Sequence, residues 1–153
     1  MTNVLIVCMG NICRSPMAQA VLAKRIAEAG LTKHIFVESA GTHASRVGEK
    51  ADGRAEAALA RRGYHLGRFR SRRVSAADFI RFDWILAMDL ENLIALQALC
   101  PPDQLGRLQL YLNHSLNAPT ASVPDPYYSN AQGFNHVLEL CEAGAAGWIN
   151  KLV

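Results

Sequence analysis

The segment Cys8-Met-Gly-Asn-Ile-Cys-Arg14-Ser15-Pro16 combines a thiol, an arginine and a serine in a C-x5-R-S pattern. Backbone N–H groups of a loop that enters a helix can point at one anion, and the N-terminus of that helix adds positive potential. Arg14 carries a planar charged fork that can bind two phosphate oxygens. The pattern therefore predicts a cradle for a tetrahedral oxyanion.

Cys8 would lie at the floor of this cradle, where the positive field favours the thiolate form. Ser15 is placed to donate its hydroxyl to that thiolate, which would be poised for in-line attack on phosphorus. Cys and Arg also recur at this separation by chance, so the alternative for Cys8 is a buried core residue. Gly10 and Asn11 tolerate left-handed backbone conformations and favour the catalytic interpretation. The residues that would surround the phosphate are Met9, Gly10, Asn11, Ile12, Cys13 and Ser15.

Asp125 is the candidate general acid, because expulsion of an alkoxide or phenolate from a phosphate monoester needs a proton. It lies between two prolines in Val123-Pro-Asp125-Pro126-Tyr127-Tyr128. Prolines stiffen a loop, and Tyr127 and Tyr128 could wall a pocket for an aromatic ring. Asp and Pro are also common in ordinary turns, which is the alternative for this segment taken by itself.

The cysteines occupy different positions along the chain. They are too few for a disulfide scaffold and lack the spacing typical of a zinc site, so we expect no metal. For Cys100 and Cys141 we expect buried packing roles. Cys13 has two open interpretations: a packing residue under the loop, or a resolving thiol that forms a disulfide with Cys8.

An alternation of strands and helices must position these residues. Val4-Leu-Ile-Val7 is a short branched apolar run, which predicts a strand buried on both faces. Ser15-Pro16 then starts a helix that ends at Gly30. Cys8 would therefore lie at the carboxyl end of a parallel strand, where ligands bind in such sheets.

The rest of the chain continues this alternation. Further strands are predicted over residues 34–38, 84–88 and 108–112, and residues 113–130 are predicted to be loop. Helices are predicted over residues 52–62, from Ser75, from Asp89 to before Pro101, and along a C-terminal apolar stripe that includes Cys141. The expected fold is a single α/β domain over residues 1–153, with a four-stranded parallel sheet, helices on both faces and the phosphate-binding loop after the first strand.

Composition and charge exclude several classes of protein. The chain has 153 residues, of which 50% are hydrophobic and 19% charged, and this is typical of a globular domain. Its apolar runs are too short for a membrane span and its N-terminus does not resemble a secretory signal, so we expect a cytoplasmic protein with no membrane partner. An arginine-rich stretch runs from Arg61 to Arg73. A solvated face is favoured for it over attraction of acidic or phosphorylated partners, and nucleic acid is disfavoured because no aromatic residues interleave.

Two motifs and three intermediate segments resemble the low-molecular-weight protein tyrosine phosphatases. The motifs are Val7-Cys-Met-Gly-Asn-Ile-Cys-Arg-Ser-Pro16 and Asp125-Pro-Tyr-Tyr128. The segments are Ser39-Ala-Gly-Thr42, Asp52-Gly-Arg-Ala55 and Phe82-Asp-Trp-Ile-Leu-Ala-Met-Asp89. The resemblance covers essentially the whole chain, and it implies hydrolysis of protein phosphotyrosine without a metal or other cofactor.

Taken position by position, the resemblance implies a role for each matching residue. Cys8 would be the nucleophile that forms a cysteinyl-phosphate. Arg14 would bind phosphate and stabilise the transition state, and Asp125 would act first as general acid and then as general base toward water. Supporting or substrate-contacting roles would fall to Asn11, Ser15, Ser39, Asp83, Tyr127 and Tyr128. The partner would be a tyrosine-phosphorylated protein, with a bacterial tyrosine kinase as one candidate, and phosphate or vanadate would inhibit.

Two positions depart from the family pattern. Phe69 stands where the family often has a histidine that joins the hydrogen bonds under the loop. The segment His43-Ala-Ser-Arg46 lacks the aromatic residue that often forms the cleft rim, which leaves His43 or Arg46 as polar substitutes on that wall.

Three other functions compete with this one. The thiol-dependent arsenate reductases, which the fold also resembles, need two further cysteines near the middle of the chain, and Cys100 stands alone there. The related protein arginine phosphatases favour a threonine where this chain has Ile12, whose apolar side chain suits an aromatic ring. A phosphoprotein-binding module with a dead site is disfavoured because nucleophile, arginine and acid are all present.

Overall fold

Strand β1 (Thr2–Cys8) is an inner strand of a sheet in which all neighbouring strands run parallel. The computed structural model describes residues 1–115, 117–118 and 120–153. The sheet order is β2-β1-β3-β4, with β2 at Ile35–Gly41, β3 at Trp84–Ala87 and β4 at Leu108–Leu110. The α-helices of the described residues are α1 (Arg14–Glu28), α2 (Gly53–Arg61), α3 (Asp78–Arg81), α4 (Leu90–Leu99) and α5 (Ala131–Leu152).

Side chains of β1 alternate between two hydrophobic clusters, one on each face of the sheet. Val4 and Ile6 pack in the cluster that includes residues of α1, α2 and α5, whereas Leu5 and Val7 pack with residues of α3 and α4. All four side chains are fully buried. Both faces of a parallel sheet must be covered in this way, so the predicted four-stranded α/β domain is confirmed.

Strand β4 is shorter than the sequence predicts, because a 3₁₀ helix begins at Tyr111. The Tyr111 hydroxyl donates a hydrogen bond to the carbonyl oxygen of Cys141 at 2.7 Å, and the indole N–H of Trp148 donates to the carbonyl oxygen of Tyr111 at 2.7 Å. Both partners belong to α5, so these bonds hold Tyr111 against the helix instead of in the sheet. Gly144 permits this approach, because a Cβ at that position would overlap the Tyr111 ring.

The connection from this 3₁₀ helix to α5 passes the carboxyl edge of the sheet. Two positions of the predicted loop over residues 113–130, numbers 116 and 119, lie outside the described residues. Farther along, the N–H of Val123 donates to the carbonyl oxygen of Met88 at 2.7 Å, just after β3. This bond brings the segment that contains Asp125 toward the end of β1. None of the helices in the described part of the chain combines the length and apolar character needed to cross a membrane.

Candidate active site

The loop between β1 and α1 folds around the thiol of Cys8. This residue is the last of β1 and is 3% exposed. The backbone N–H of Asn11 donates to its Sγ at 3.2 Å, and the Ser15 Oγ lies 3.0 Å from the same sulfur. The Ser15 hydrogen can point at the sulfur, because the Ser15 oxygen already accepts from Asn11 Nδ2 at 2.9 Å and the other acceptor within reach, the carbonyl oxygen of Ala40, is farther away at 3.4 Å. Two donors directed at one sulfur stabilise a thiolate more than a neutral thiol.

Asn11 holds the loop in shape from inside. Its backbone lies in the left-handed region with a φ of 56°, and the residue is fully buried. Besides its bond to Ser15, Nδ2 donates to Ser39 Oγ at 3.0 Å, and Oδ1 accepts from the N–H of Arg72 at 2.9 Å. The Ser39 hydroxyl in turn donates to the side chain of Gln19 on α1. Ser39 therefore lies where the family resemblance expects a supporting residue, whereas Gln19 was not predicted.

The end of β2 approaches the backbone of the same loop. The N–H of Thr42 donates to the carbonyl oxygen of Cys8, and that of His43 donates to the carbonyl oxygen of Met9, each at 2.9 Å. A Cβ on Gly41 would lie only 2.6 Å from that Met9 oxygen, so a residue without a side chain is required here. The Ser-Ala-Gly-Thr segment thus fixes the first half of the loop.

The segment that contains Phe69 supports the loop, although it lacks the histidine that the resemblance leads us to expect there. Phe69 itself lines a separate cavity with Lys50. Two residues farther on, the Ser71 hydroxyl donates to the carbonyl oxygen of Gly10 at 3.3 Å, and the next N–H, that of Arg72, bonds to the loop asparagine. Backbone and serine contacts therefore connect this segment to the loop between β1 and α1.

The N-terminus of α1 has no side-chain cap. By contrast, Asp52, Asp89 and Asn130 each accept a backbone N–H at the start of α2, α4 and α5, which confirms the caps predicted at Asp52 and Asp89. The first N–H groups of α1 thus keep hydrogen-bonding capacity, in the turn that contains Ser15, whose Oγ lies 3.0 Å from the Cys8 sulfur. A helix N-terminus of this kind is a ready anion-binding site.

Arg14 is buried in the first turn of α1 and holds an ion pair with Asp89. The same Nη1 also donates to the carbonyl oxygen of Val123 at 3.0 Å, and Nη2 lies 4.0 Å from Asp125 Oδ2. Burial lowers the pKa of the Arg14 guanidinium, but the negative charges of Cys8 and Asp89 outweigh that effect and raise it above the ordinary value. Arg14 therefore stays charged, and these contacts limit the directions in which its fork can point.

Asp89 was not predicted as a site residue. The sequence does contain a signal for it, since it follows a buried strand whose carboxyl end meets that of β1 at one edge of the sheet. The resemblance instead implied a supporting role for Asp83, which the structure places away from the cleft. Asp83 Oδ2 accepts the N–H of Asn3 at 2.7 Å, at the amino end of β3, so it joins two strands at the opposite end of the sheet from Cys8.

A cleft of about 250 Å³ joins the loop between β1 and α1 to Asp125, Tyr127 and Tyr128. The side chain of Asp125 is 44% exposed, and its Oδ1 accepts the N–H of Tyr127 at 3.1 Å. The two tyrosine rings stand nearly perpendicular, with centroids 5.0 Å apart, and Tyr128 is almost fully exposed. The cleft therefore has an aromatic wall beside its carboxyl group.

The opposite wall carries the two polar residues that the sequence analysis predicted in place of an aromatic residue. His43 and Arg46 both line the cleft. Arg46 Nη2 donates to the hydroxyl of Tyr127 at 3.1 Å, which bridges the two walls at the rim. Ile12 contributes apolar surface from the loop. A flat ring entering toward Cys8 would thus meet Ile12 and Tyr127 on its way in.

Cys13 lies in the same loop as Cys8, but the pKa of its thiol is strongly raised. Burial, reinforced by the charge of Asp52, raises the pKa of the Cys13 thiol to about 12. Cys100 and Cys141 are buried, as predicted, and burial raises the pKa of both thiols. All four cysteines are free, and the described residues hold no group of three or more His, Cys, Asp or Glu side chains able to bind a metal ion.

Comparison with known proteins extends these observations to the whole chain. Residues 3–153 match the family model described as low molecular weight phosphotyrosine protein phosphatase. The chain is 41% identical over 148 residues to the low molecular weight protein-tyrosine-phosphatase of Streptomyces coelicolor, covering 95% of this chain and 90% of that protein. It is 35% identical over 151 residues to low molecular weight phosphotyrosine protein phosphatase 2 of Drosophila melanogaster, covering 98% and 92%. A crystal structure of protein tyrosine phosphatase from Entamoeba histolytica superposes with a TM-score of 0.96 at 38% identity, covering 99% of this chain and 97% of that one.

Proposed function

Because the chain belongs to the low molecular weight phosphotyrosine protein phosphatase family, we propose that Cys8, Arg14 and Asp125 carry out its hydrolysis of protein phosphotyrosine through a cysteinyl-phosphate. One observation carries this assignment. A single cleft joins the Cys8 sulfur, the Arg14 guanidinium and the Asp125 carboxyl group, although they come from distant parts of the chain.

The first step transfers the phosphoryl group to sulfur. The Arg14 fork and the uncapped N-terminus of α1 bind the equatorial phosphate oxygens, and they stabilise the charge that gathers there in the transition state. The S–P bond forms as the P–O bond to the tyrosine ring breaks. Protonated Asp125 gives its proton to the departing phenolate oxygen, so tyrosine leaves as a neutral phenol.

The second step releases phosphate. Asp125, now a carboxylate, takes a proton from a water molecule that attacks phosphorus, and the S–P bond breaks. The electron pair returns to Cys8 as a thiolate. The Asn11 N–H and the Ser15 hydroxyl point at that sulfur, so they stabilise the leaving thiolate. Arg14 and the N-terminus of α1 supply the positive charge that stabilises the phosphoryl group. The proposed mechanism uses no metal or other cofactor.

The remaining residues of the site bind phosphate or the substrate ring. The phosphate loop comprises Met9, Gly10, Asn11, Ile12, Cys13 and Ser15, with Ser39 supporting Asn11 from β2. Tyr127 and Tyr128 contact the aromatic ring, together with Ile12. An aromatic ring fits these surfaces better than a guanidinium group would, and this supports phosphotyrosine as the substrate instead of phosphoarginine.

The biological setting is part of the proposal. The substrate is a tyrosine-phosphorylated protein, and an autophosphorylating bacterial tyrosine kinase is one candidate. Inorganic phosphate and vanadate compete for the phosphate loop and inhibit. Residues 1–153 act as one phosphatase domain, and the protein works in the cytoplasm, where a reducing environment keeps the Cys8 thiol free.

Replacement of the nucleophile tests this assignment. Cys8→Ser should abolish hydrolysis of p-nitrophenyl phosphate, while phosphate binding remains measurable by calorimetry because Arg14 and the loop are unchanged. Cys141→Ser serves as a control, since that cysteine lies in α5 away from the cleft. Full activity of Cys8→Ser would exclude Cys8 as nucleophile. Activity of the unaltered protein should also survive dialysis against EDTA, and a loss there would contradict the metal-free mechanism.

A further inference from the structure

A second cavity adjoins the catalytic cleft. It has a volume of about 500 Å³ and shares two lining residues with the cleft, Ile12 and Arg46. Its other walls are residues 48–53, which lead from the segment after β2 to the first residue of α2, and Arg70. A substrate chain that places phosphotyrosine in the cleft therefore passes directly beside this cavity.

Three cations line the second cavity: Arg46, Lys50 and Arg70. Within the described residues, none of the three has a carboxylate within salt-bridge distance. Among the residues that the structure describes, the Arg46 side chain donates only to the Tyr127 hydroxyl, and the Arg70 side chain only to the carbonyl oxygen of the adjacent Phe69. Their positive charges are thus available to a ligand.

Two acidic residues also line the cavity, but they do not cancel this charge. Asp52 accepts from the side chain of Arg54 through both oxygens, at 3.0 and 2.9 Å. The Arg54 hydrogen bond lowers the pKa of Asp52, so this carboxylate is already neutralised by its own partner. Glu49 is the remaining acidic residue, and its single negative charge is outnumbered by the positive charges of the three cations. The cavity therefore has a net positive charge.

We propose that this cavity binds an acidic side chain that lies close to phosphotyrosine in the substrate sequence. An extended peptide advances about 3.3 Å per residue. A side chain one to three residues away therefore lies roughly 3–10 Å along the chain from the phosphotyrosine, which matches a cavity that begins where the cleft ends. The inference rests on the proposed function and adds a sequence preference to it. Aspartate, glutamate and a second phosphorylated residue share the required charge.

The preference is tested by reversing two charges of the cavity that contact no catalytic group. The variant Lys50→Glu/Arg70→Glu is compared with Lys33→Glu/Lys151→Glu, which changes the net charge equally. Lys33 precedes β2 and Lys151 lies near Trp84 at the start of β3, so both are at the opposite end of the sheet. The substrates are phosphotyrosine peptides with neutral flanks, with glutamates on either side, and with a second phosphotyrosine, alongside p-nitrophenyl phosphate.

The unaltered protein should hydrolyse the acidic peptides more efficiently than the neutral one, through a lower KM. In Lys50→Glu/Arg70→Glu, kcat/KM for acidic peptides should fall about 2- to 30-fold, as expected for two exposed charge pairs, while p-nitrophenyl phosphate hydrolysis is unchanged. Comparison of the glutamate peptide with the doubly phosphorylated peptide shows whether the cavity prefers a carboxylate or a phosphate. Added salt should reduce the preference.

Three results would overturn the inference. The unaltered protein could cleave acidic and neutral peptides equally, or the distant double variant could lose as much activity as the cavity variant. A parallel loss with p-nitrophenyl phosphate would show that the cavity residues act on catalysis or folding instead. Failure of the proposed function itself is distinguishable, because the unaltered protein would then hydrolyse none of these phosphotyrosine substrates.

Discussion

Arg14 and Asp89 form an ion pair that connects the first turn of α1 to the start of α4. The two carboxylate oxygens of Asp89 have different partners. Oδ2 accepts from the Arg14 guanidinium, and Oδ1 accepts the N–H of Asn92 at 2.7 Å as the cap of α4. One side chain therefore orients the Arg14 guanidinium and begins a helix.

Two substitutions of Asp89 distinguish its contact with Arg14 from its role as the cap of α4. Asp89→Asn retains a capping oxygen but removes the charge, so it should weaken the hold on the buried Arg14 while leaving the cap of α4 in place. A hydrogen bond to a charged group contributes about 1.5–3 kcal/mol, so we expect kcat/KM for p-nitrophenyl phosphate to fall on the order of tenfold or more. The inhibition constant of phosphate should rise in parallel.

Asp89→Ala removes the cap as well, and should lower the free energy of unfolding by a further ~1 kcal/mol. Urea unfolding of both variants measures this difference. Unchanged phosphate inhibition in Asp89→Asn would show that Asp89 does not position Arg14.

The acid role of Asp125 predicts a dependence on the leaving group. Asp125→Ala should slow turnover on the order of 10²- to 10⁴-fold for phenyl phosphate, whose leaving group needs a proton. The loss should be smaller for p-nitrophenyl phosphate, because p-nitrophenolate leaves without one. Asp103→Ala, an exposed acid in a 3₁₀ helix, is the matched control. Equal losses for both esters would remove Asp125 from the acid role.

The raised pKa of Cys13 predicts selective alkylation. A thiol reacts as its thiolate, and a pKa of about 12 leaves Cys13 protonated at neutral pH. Iodoacetamide at pH 7 should label Cys8 first, and phosphate should protect it. Labelling of Cys13 should increase as pH rises toward 12, as measured by peptide mass spectrometry. Faster labelling of Cys13 than of Cys8 at pH 7 would contradict this ordering.

Mild peroxide distinguishes the two interpretations of Cys13. If Cys13 is a resolving thiol, the protein should form a Cys8–Cys13 disulfide that dithiothreitol reverses, with recovery of activity. If it only packs under the loop, Cys8 should instead proceed to sulfinic acid without a disulfide. Mass spectrometry of the oxidised protein detects either product, and Cys13→Ala is the control variant.

The contact between Gly144 and Tyr111 predicts a stability effect away from the site. Gly144→Ala places a methyl group where the Tyr111 ring lies, and overpacking of this kind costs about 1–3 kcal/mol. Gly106→Ala is the control, because a Cβ there meets no neighbouring atom. Thermal unfolding should show a lower Tm for Gly144→Ala alone. An equal Tm for both variants would show that the ring moves aside without cost.

Much of the fold follows from local sequence patterns. The apolar run before Cys8 predicts a strand buried on both faces, and the caps at Asp52 and Asp89 predict two helix starts that the structure confirms. Strand β4 is where local pattern fails. The apolar residues up to Leu112 suit a strand, but hydrogen bonds between Tyr111 and α5 end it early. Such bonds form between residues far apart in the chain, and no local pattern reports them.

The chemistry that this protein can perform is determined by its sequence, because a thiol, an arginine and a serine share one short loop between a strand and a helix. The tertiary structure decides which distant groups control that loop. Arg14 bonds to a carbonyl oxygen 109 residues away, and to Asp89, which the sequence analysis did not identify as a site residue. These pairings form because the carboxyl ends of β1 and β3 lie side by side at one edge of the parallel sheet. Residue spacing specifies a helix or a strand, but only packing brings their ends together.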